Sequence, residues 1–335
     1  MLIKTALAAA AIAAVLLAML AVLLTQPFVS PDASKPPEVS PERLQAHVKH
    51  LSVDLYPRSF ERLKNIRLAA EYIKQEFAAA GAAVTEQGVI AEETRYANVI
   101  AHFGPRDGPV LVIGAHYDSH GDPGAGSAYP LGYAPETHTP GADDNASGVA
   151  GLLELARLLQ RNPPSRPVEL VAYTLEEPPH FATEDMGSVW HARSLVEAKR
   201  EVRLMLSLEM IGYFSDTPNS QSIPFGLGIL YPDQGNFIGL VGGFGDVRAT
   251  RRAKSLMSGA TNLPVRSINA PAFIPGMDFS DHRSYAASGF PALMVTDTAF
   301  YRNRNYHEAG DTYEKLDYQR MAKVVQAVYA IAQHY

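Results

Sequence analysis

Residues 140–151 read Pro-Gly-Ala-Asp-Asp-Asn-Ala-Ser-Gly-Val-Ala-Gly, two adjacent carboxylates between a glycine approach and the start of an apolar helical pattern. Acidic side chains at a helix start can be simple caps, because the first-turn N–H groups are unpaired and partly positive. Two other places argue for more. His116 and Asp118 close the apolar run 111–118, Leu-Val-Ile-Gly-Ala-His-Tyr-Asp, and Glu176 and Glu177 close the run 170–177, Leu-Val-Ala-Tyr-Thr-Leu-Glu-Glu. In open α/β sheets ligand groups gather at the carboxyl ends of strands, so three acidic clusters at three element ends suggest one metal site.

Outward from this stretch, residues 147–161 carry apolar positions at helical spacing, and 168–175 reads as a buried strand. A helix over 184–199 and a strand over 202–210, ending in Glu209, continue the alternation. Strand, helix, strand order predicts an α/β fold with a mixed, mainly parallel central sheet and helices on both faces. Upstream, helices are expected at 43–51 and 60–80, and strands at 83–86, 96–103 and 109–114. The Gly-Pro-Arg-Asp-Gly turn at 104–108 predicts a hairpin over 97–115. Residues 120–139, rich in Gly, Pro, Ser and Tyr, form a long aperiodic loop of the functional kind. Downstream, a helix is expected over 246–258, a short core strand over 292–296 and a final helix capped by Asp317.

The chain has 335 residues, 47% of them hydrophobic, enough for one large domain. A net charge of −6 gives no basic footprint, which excludes nucleic acid as an expected partner. Cysteine is absent, so zinc can be held only by His, Asp and Glu.

Ala6–Leu24 is an unbroken apolar run of 19 residues behind Lys4. It exceeds the core of a signal peptide, about 7–15 residues, and reaches membrane-span length. The expectation is a signal anchor over 1–25 that spans the membrane as one helix, with a long cleaved signal peptide as the alternative. Lys4 on the cytoplasmic side places the rest periplasmic or extracellular. Residues 26–41, with Pro31, Pro36, Pro37 and Pro41, read as a semi-stiff, poorly ordered spacer, and 42–335 as the catalytic domain.

The quoted motifs, with Leu-Glu209-Met-Ile-Gly, Ser280-Asp281-His282 and Tyr306-His307 followed by Asp311-Thr312, resemble in order the co-catalytic dizinc aminopeptidases and their relatives. Those relatives include bacterial leucyl aminopeptidases, glutamate carboxypeptidase II and glutaminyl cyclase. The resemblance spans about residues 45–335 and implies a three-layer zinc-peptidase sandwich with two zinc ions per chain. It assigns His116 and Glu209 to one ion, Glu177 and His307 to the other, and Asp144 to both through a cis Asp144–Asn145 peptide. Asp143 is a neighbour of the site, Asp118 orients His116 from outside the ligand set, and Asp281 and His282 lie close by without binding metal. Glu176 is implied as the general base and Tyr306 as the phenol that hydrogen-bonds the developing oxyanion.

Two departures bear on substrate range. The family pattern carries Asp where this chain has Glu209, and the stretch 178–187 is longer than the usual turn. His120, His138, His180 and His191 match no motif position. The expected activity is a membrane-anchored exopeptidase acting on peptides, first an aminopeptidase. Glutaminyl cyclase is the alternative, set apart by Tyr306-His307 where that enzyme has a Trp-His pair, and a non-enzymatic ectodomain is a third reading opposed by the filled ligand positions.

Overall fold

The computed structural model describes residues 2–121, 138–223, 228 and 230–335. The loop expected over 120–139 therefore lies mostly outside the described residues. An eight-stranded sheet forms the middle layer, in spatial order β1, β2, β4, β3, β5, β8, β6, β7. Its strands are β1 Ala83–Ala91, β2 Thr94–Phe103, β3 Val110–His116, β4 Val168–Tyr173, β5 Val202–Glu209, β6 Ile238–Gly242, β7 Val265–Asn269 and β8 Ala292–Thr296. β4, β3, β5 and β8 run parallel at the centre, whereas β2 and β6 are antiparallel to their central neighbours and β7 follows β6. The sheet is thus mixed.

The hairpin expected over 97–115 does not form. β2 pairs with β1 and β4, and β3 lies between β4 and β5. All seven residues of β3 are buried, and a strand apolar on both faces belongs inside a parallel, helix-covered sheet and not beside its predecessor at a turn. Gly104, at φ +75°, turns the chain where a Cβ would meet the Arg166 carbonyl at 2.6 Å.

Helices α2 Pro41–Lys49, α3 Leu63–Ala79, α4 Gly148–Arg161, α6 Val247–Ala260 and α8 Tyr318–His334 pack together over one face, and α5 Gly187–Glu197 and α7 His282–Ala287 over the other. α4 matters most for the site, because Asp143 and Asp144 immediately precede it. α2 braces it through a charge clamp: Arg43 donates from Nε and Nη2 to the fully buried Glu154 carboxylate at 2.8 Å each. Burial opposes ionisation of Glu154, yet His47 and Arg43 hold it down to about 2. A depressed carboxylate stabilises above its ordinary value and loses that stabilisation as pH falls through the folded value. Urea titrations of the parent should therefore lose on the order of 3 kcal/mol between pH 4.5 and 2 from this group. Glu154→Gln should be less stable at pH 7 and flatter across that window; parallel curves would remove the clamp.

Helix α1, Leu2–Thr25, precedes the domain. Among the described residues no helix is long and apolar enough to cross a membrane, so the span expected over 1–25 is not shown. Residues 26–41 differ from the expected poorly ordered spacer. Asp32 N donates to the Ser255 carbonyl at 2.9 Å and Ser34 N to the Gly259 carbonyl at 3.1 Å, both on α6. Gly259 is required there, because a Cβ would sit 1.9 Å from the Asp32 carbonyl oxygen.

Candidate metal centre

The parallel strands deliver their carboxyl ends to one place. His116 ends β3, Glu176 and Glu177 follow β4, and Glu209 ends β5. Leu175 and Met210 take φ of +58° and +50° beside these carboxylates, and His307 itself takes +59°. Left-handed backbone costs a non-glycine residue about 1–2 kcal/mol, and its clustering at three site positions marks a place where geometry outranks local comfort.

Asp144 stands at the middle, and the peptide between it and Asn145 is cis. Gly141 approaches it at φ +58°, where a Cβ would lie 2.3 Å from the Asp144 carbonyl. One Asp144 oxygen, Oδ1, lies 3.3 Å from His116 Nε2, which in turn lies 3.4 Å from Glu209 Oε2. The other, Oδ2, lies 3.2 Å from His307 Nε2, which lies 3.2 Å from Glu177 Oε2. Two donor groups result, His116 with Asp144 and Glu209, and His307 with Glu177 and His120.

The donor set fits zinc. Tetrahedral bonds of about 2.0–2.2 Å place ligand atoms about 3.3–3.6 Å apart, the spacing found here. His116 Nε2 and Glu177 Oε1 are buried without a hydrogen-bond partner, a costly state unless a cation supplies the missing interaction. Without that cation the carboxylates strain each other. Burial, then Glu209 and Glu177, push Glu176 well above the usual range, and burial raises Glu209 too.

The surrounding residues hold this arrangement. Asp118 receives the amides of Glu176 and Glu177 at 3.2 and 3.0 Å, and meets His116 Nδ1 with its backbone carbonyl at 3.1 Å, its carboxylate being 3.6 Å away. Asp143 points elsewhere, accepting from Gly212 N at 3.0 Å and Asn303 Nδ2 at 3.1 Å. Asp311 accepts the amides of Asp143 and Asp144. Glu209 Oε2 accepts from Ser280 Oγ at 2.8 Å. Asp281 is fully buried and pushed up to about 7 by burial, and His282 is held on the Met277 carbonyl at 2.9 Å. Neither belongs to a donor group.

Two contributors escaped sequence reasoning. His120 lies 3.3 Å from Glu177 Oε2 and stacks on His307 at 4.1 Å. It sits four residues past His116 in a stretch without periodicity, so no pattern marks it. Arg58 is wholly buried and donates to the carbonyls of Leu51, Tyr117, Pro140 and Gly141. It sews the loop before Asp143 to the end of β3, and a lone arginine after a proline carries no sequence signal of that.

Tyr306, half-buried, stacks on His307 at 3.8 Å between ring centres. Burial and the nearby carboxylates raise its phenol well above the ordinary value, so it remains a donor. With Glu209 it borders a cavity of about 120 Å³ whose walls include Phe237, Leu240, Ile268, Met277, Phe279 and Phe300.

YfbL of Escherichia coli is 49% identical over 308 residues, 92% of each chain. A probable aminopeptidase of Saccharomyces cerevisiae is 26% identical over 66% of this chain and 52% of its own, so this chain spans about half of that relative's length. LapB of Legionella pneumophila superposes with a TM-score of 0.66 at 22% identity over 87% of this chain and 71% of that one. The glutaminyl cyclase of Bacteroides thetaiotaomicron gives 0.66 at 19% over 90% and 100%. At such identities the two structures share the fold alone. The model of peptidase family M28 matches residues 98–332, more than half of the chain, which shows that this chain belongs to that family of metallopeptidases.

Proposed function

We propose that the protein is a zinc-dependent aminopeptidase that removes an amino-terminal residue with an apolar side chain from peptides, using two zinc ions. The observation that carries this reading is Asp144, whose two oxygens serve two separate donor groups. His116, Asp144 and Glu209 would hold one ion, and Asp144, Glu177 and His307, with His120 beside them, the second. When bound, such a pair lowers the pKa of water and polarises a carbonyl. Glu176 stands 3.8 Å from His116 Nε2 and in neither donor group, which leaves its carboxylate to accept the proton of the attacking water and return it to the leaving amine. Tyr306 donates to the carbonyl oxygen as charge develops there. The apolar cavity beyond Glu209 and Tyr306 takes the side chain of the residue released.

Chelator-sensitive release of leucine from leucyl anilides and short peptides tests this. Conversion of amino-terminal Gln to pyroglutamate with no amino-acid release would establish cyclase activity in its place. His120→Ala should weaken the second zinc equivalent by about 10- to 100-fold while sparing the first, as partners of metal ligands do; unchanged binding of both would relieve His120 of a role.

α1 is read as an uncleaved membrane anchor that leaves the catalytic unit outside the cytoplasm. Ile12, Val15, Leu16, Leu17, Met19, Leu20 and Leu23 all stand exposed on it, and a helix apolar all round needs a nonaqueous surrounding. The full chain should float with membranes, and finding mature protein that begins after residue 24 would overturn the anchor.

A further inference from the structure

We propose that the catalytic unit does not swing on its anchor but rests on the lipid surface in one orientation, with Phe28, Phe244, Arg248 and Arg251 facing anionic headgroups. The inference rests on the anchor reading of α1 and goes beyond it.

The junction is built into the domain. At the end of α1, the Thr25 carbonyl accepts from Lys254 Nζ at 3.0 Å and Ser267 Oγ at 2.7 Å, and the Gln26 carbonyl accepts from Lys254 Nζ at 2.8 Å. A cation on the last carbonyls of a helix complements its dipole. Gln26 is 4% exposed, and its side chain donates to Asn269 Oδ1 at 2.9 Å, while its Oε1 lies 2.7 Å from Ser267 Oγ, whose one proton it shares with the Thr25 carbonyl. Beyond it, Ser255 Oγ donates to the Ser30 carbonyl and Arg252 pairs with Asp32. Residues 25–34 therefore leave no free swivel between α1 and the sheet.

The surface around this junction has the composition of an interfacial one. Phe28 is 79% exposed and Phe244 57%. Phe244 follows Gly243, whose carbonyl accepts from Nδ2 of the same Asn269 that holds Gln26. Arg248 and Arg251 are exposed on α6, the helix that starts just after Phe244. Exposed aromatic rings and arginines near the end of an apolar helix match a headgroup layer that contains anionic lipid.

Strand directions fix where the reactive groups lie. Glu209 pairs with Thr296 on parallel β8, and β6 runs back along β8 so that Gly239 pairs with Thr296 and Gly242 with Leu293. Gly242 in turn pairs with Asn269 on β7. The Asn269 side of the α1 junction therefore lies toward the end of β8 away from Glu209, while its Ser267 side stands level with Val295.

The absence of cysteine makes single-Cys labelling clean. Full-length Phe28→Cys and Phe244→Cys, carrying an environment-sensitive fluorophore, are reconstituted into vesicles of phosphatidylglycerol and phosphatidylcholine containing brominated lipid. Glu93→Cys, on the exposed turn between β1 and β2 at the far edge of the sheet, is the control. Severalfold stronger quenching at 28 and 244 than at 93 is expected, and Lys254→Met should lower it without releasing the protein. Protein that floats with the vesicles yet shows equal quenching at all three sites overturns the seating and leaves the anchor standing. Protein that does not float overturns the anchor itself.

Discussion

Glu176→Gln lowers kcat by about 10²- to 10⁴-fold, the usual contribution of a positioned acid–base group, while zinc content and Tm stay at the parent values. The amide keeps the volume of the carboxyl, and the backbone N–H of residue 176 still donates to Asp118, so the change removes a proton acceptor and little else. KM should move far less than kcat, because the group acts on the reacting water and not on the bound peptide. Turnover on leucyl anilide, metal analysis and a thermal melt of the same preparation separate the outcomes. Near-parent turnover with two zinc equivalents would take the base away from Glu176.

Asp144→Asn should have a larger effect of a different kind. An amide cannot offer a negative oxygen to both donor groups, so zinc titration should show neither equivalent bound tightly and activity should fall below detection. The stability readout has two parts. In the parent, zinc at about 100 to 1,000 times its Kd raises stability by about 2.7 to 4.1 kcal/mol, and this rise should vanish in the variant. The metal-free variant should also be less stable than the metal-free parent at pH 7. Burial and Glu177 oppose ionisation of Asp144, yet His116 and His307, 3.3 and 3.2 Å away, hold its carboxyl below the ordinary value, and a carboxylate so held stabilises the fold above that value. Two tightly bound equivalents in Asp144→Asn would refute the shared-carboxylate reading.

Much of the site could be read from the chain because strand burial and ligand chemistry leave opposite marks on sequence. β3, β4 and β5 are apolar runs, and a His or Glu at the end of such a run is conspicuous when nothing else there is polar. The two carboxylates before α4 stood out for the same reason. What escaped depends on contacts between distant segments. Nothing in residues 97–115 announces that β4, some sixty residues later, inserts beside β2, because a hairpin and a crossover can share the same turn sequence. Local composition made 26–41 look like a loose spacer, yet its carbonyls and amides find partners on α6 more than two hundred residues away. His120 and Arg58 belong to this second kind: each acts through a partner that only the fold supplies.

Strand β7 gives the amino-terminal segment a reach that its distance from the metal centre conceals. The Ser267 hydroxyl and the Asn269 side chain bond the segment where α1 ends, while Arg266, Ser267 and Ile268 line the side-chain cavity, and alternation along a strand sends the Arg266 and Ile268 side chains to the face opposite to that of Ser267 and Asn269. One strand thickness thus separates the leash from the cavity. A soluble form trimmed to residue 36 keeps every reacting group but loses the backing of that wall, so its ranking of amino-terminal side chains becomes that of a looser enzyme. Under the proposed seating and activity, selection on the membrane contact and selection on the residue released act on the same few residues, and neither trait drifts without moving the other.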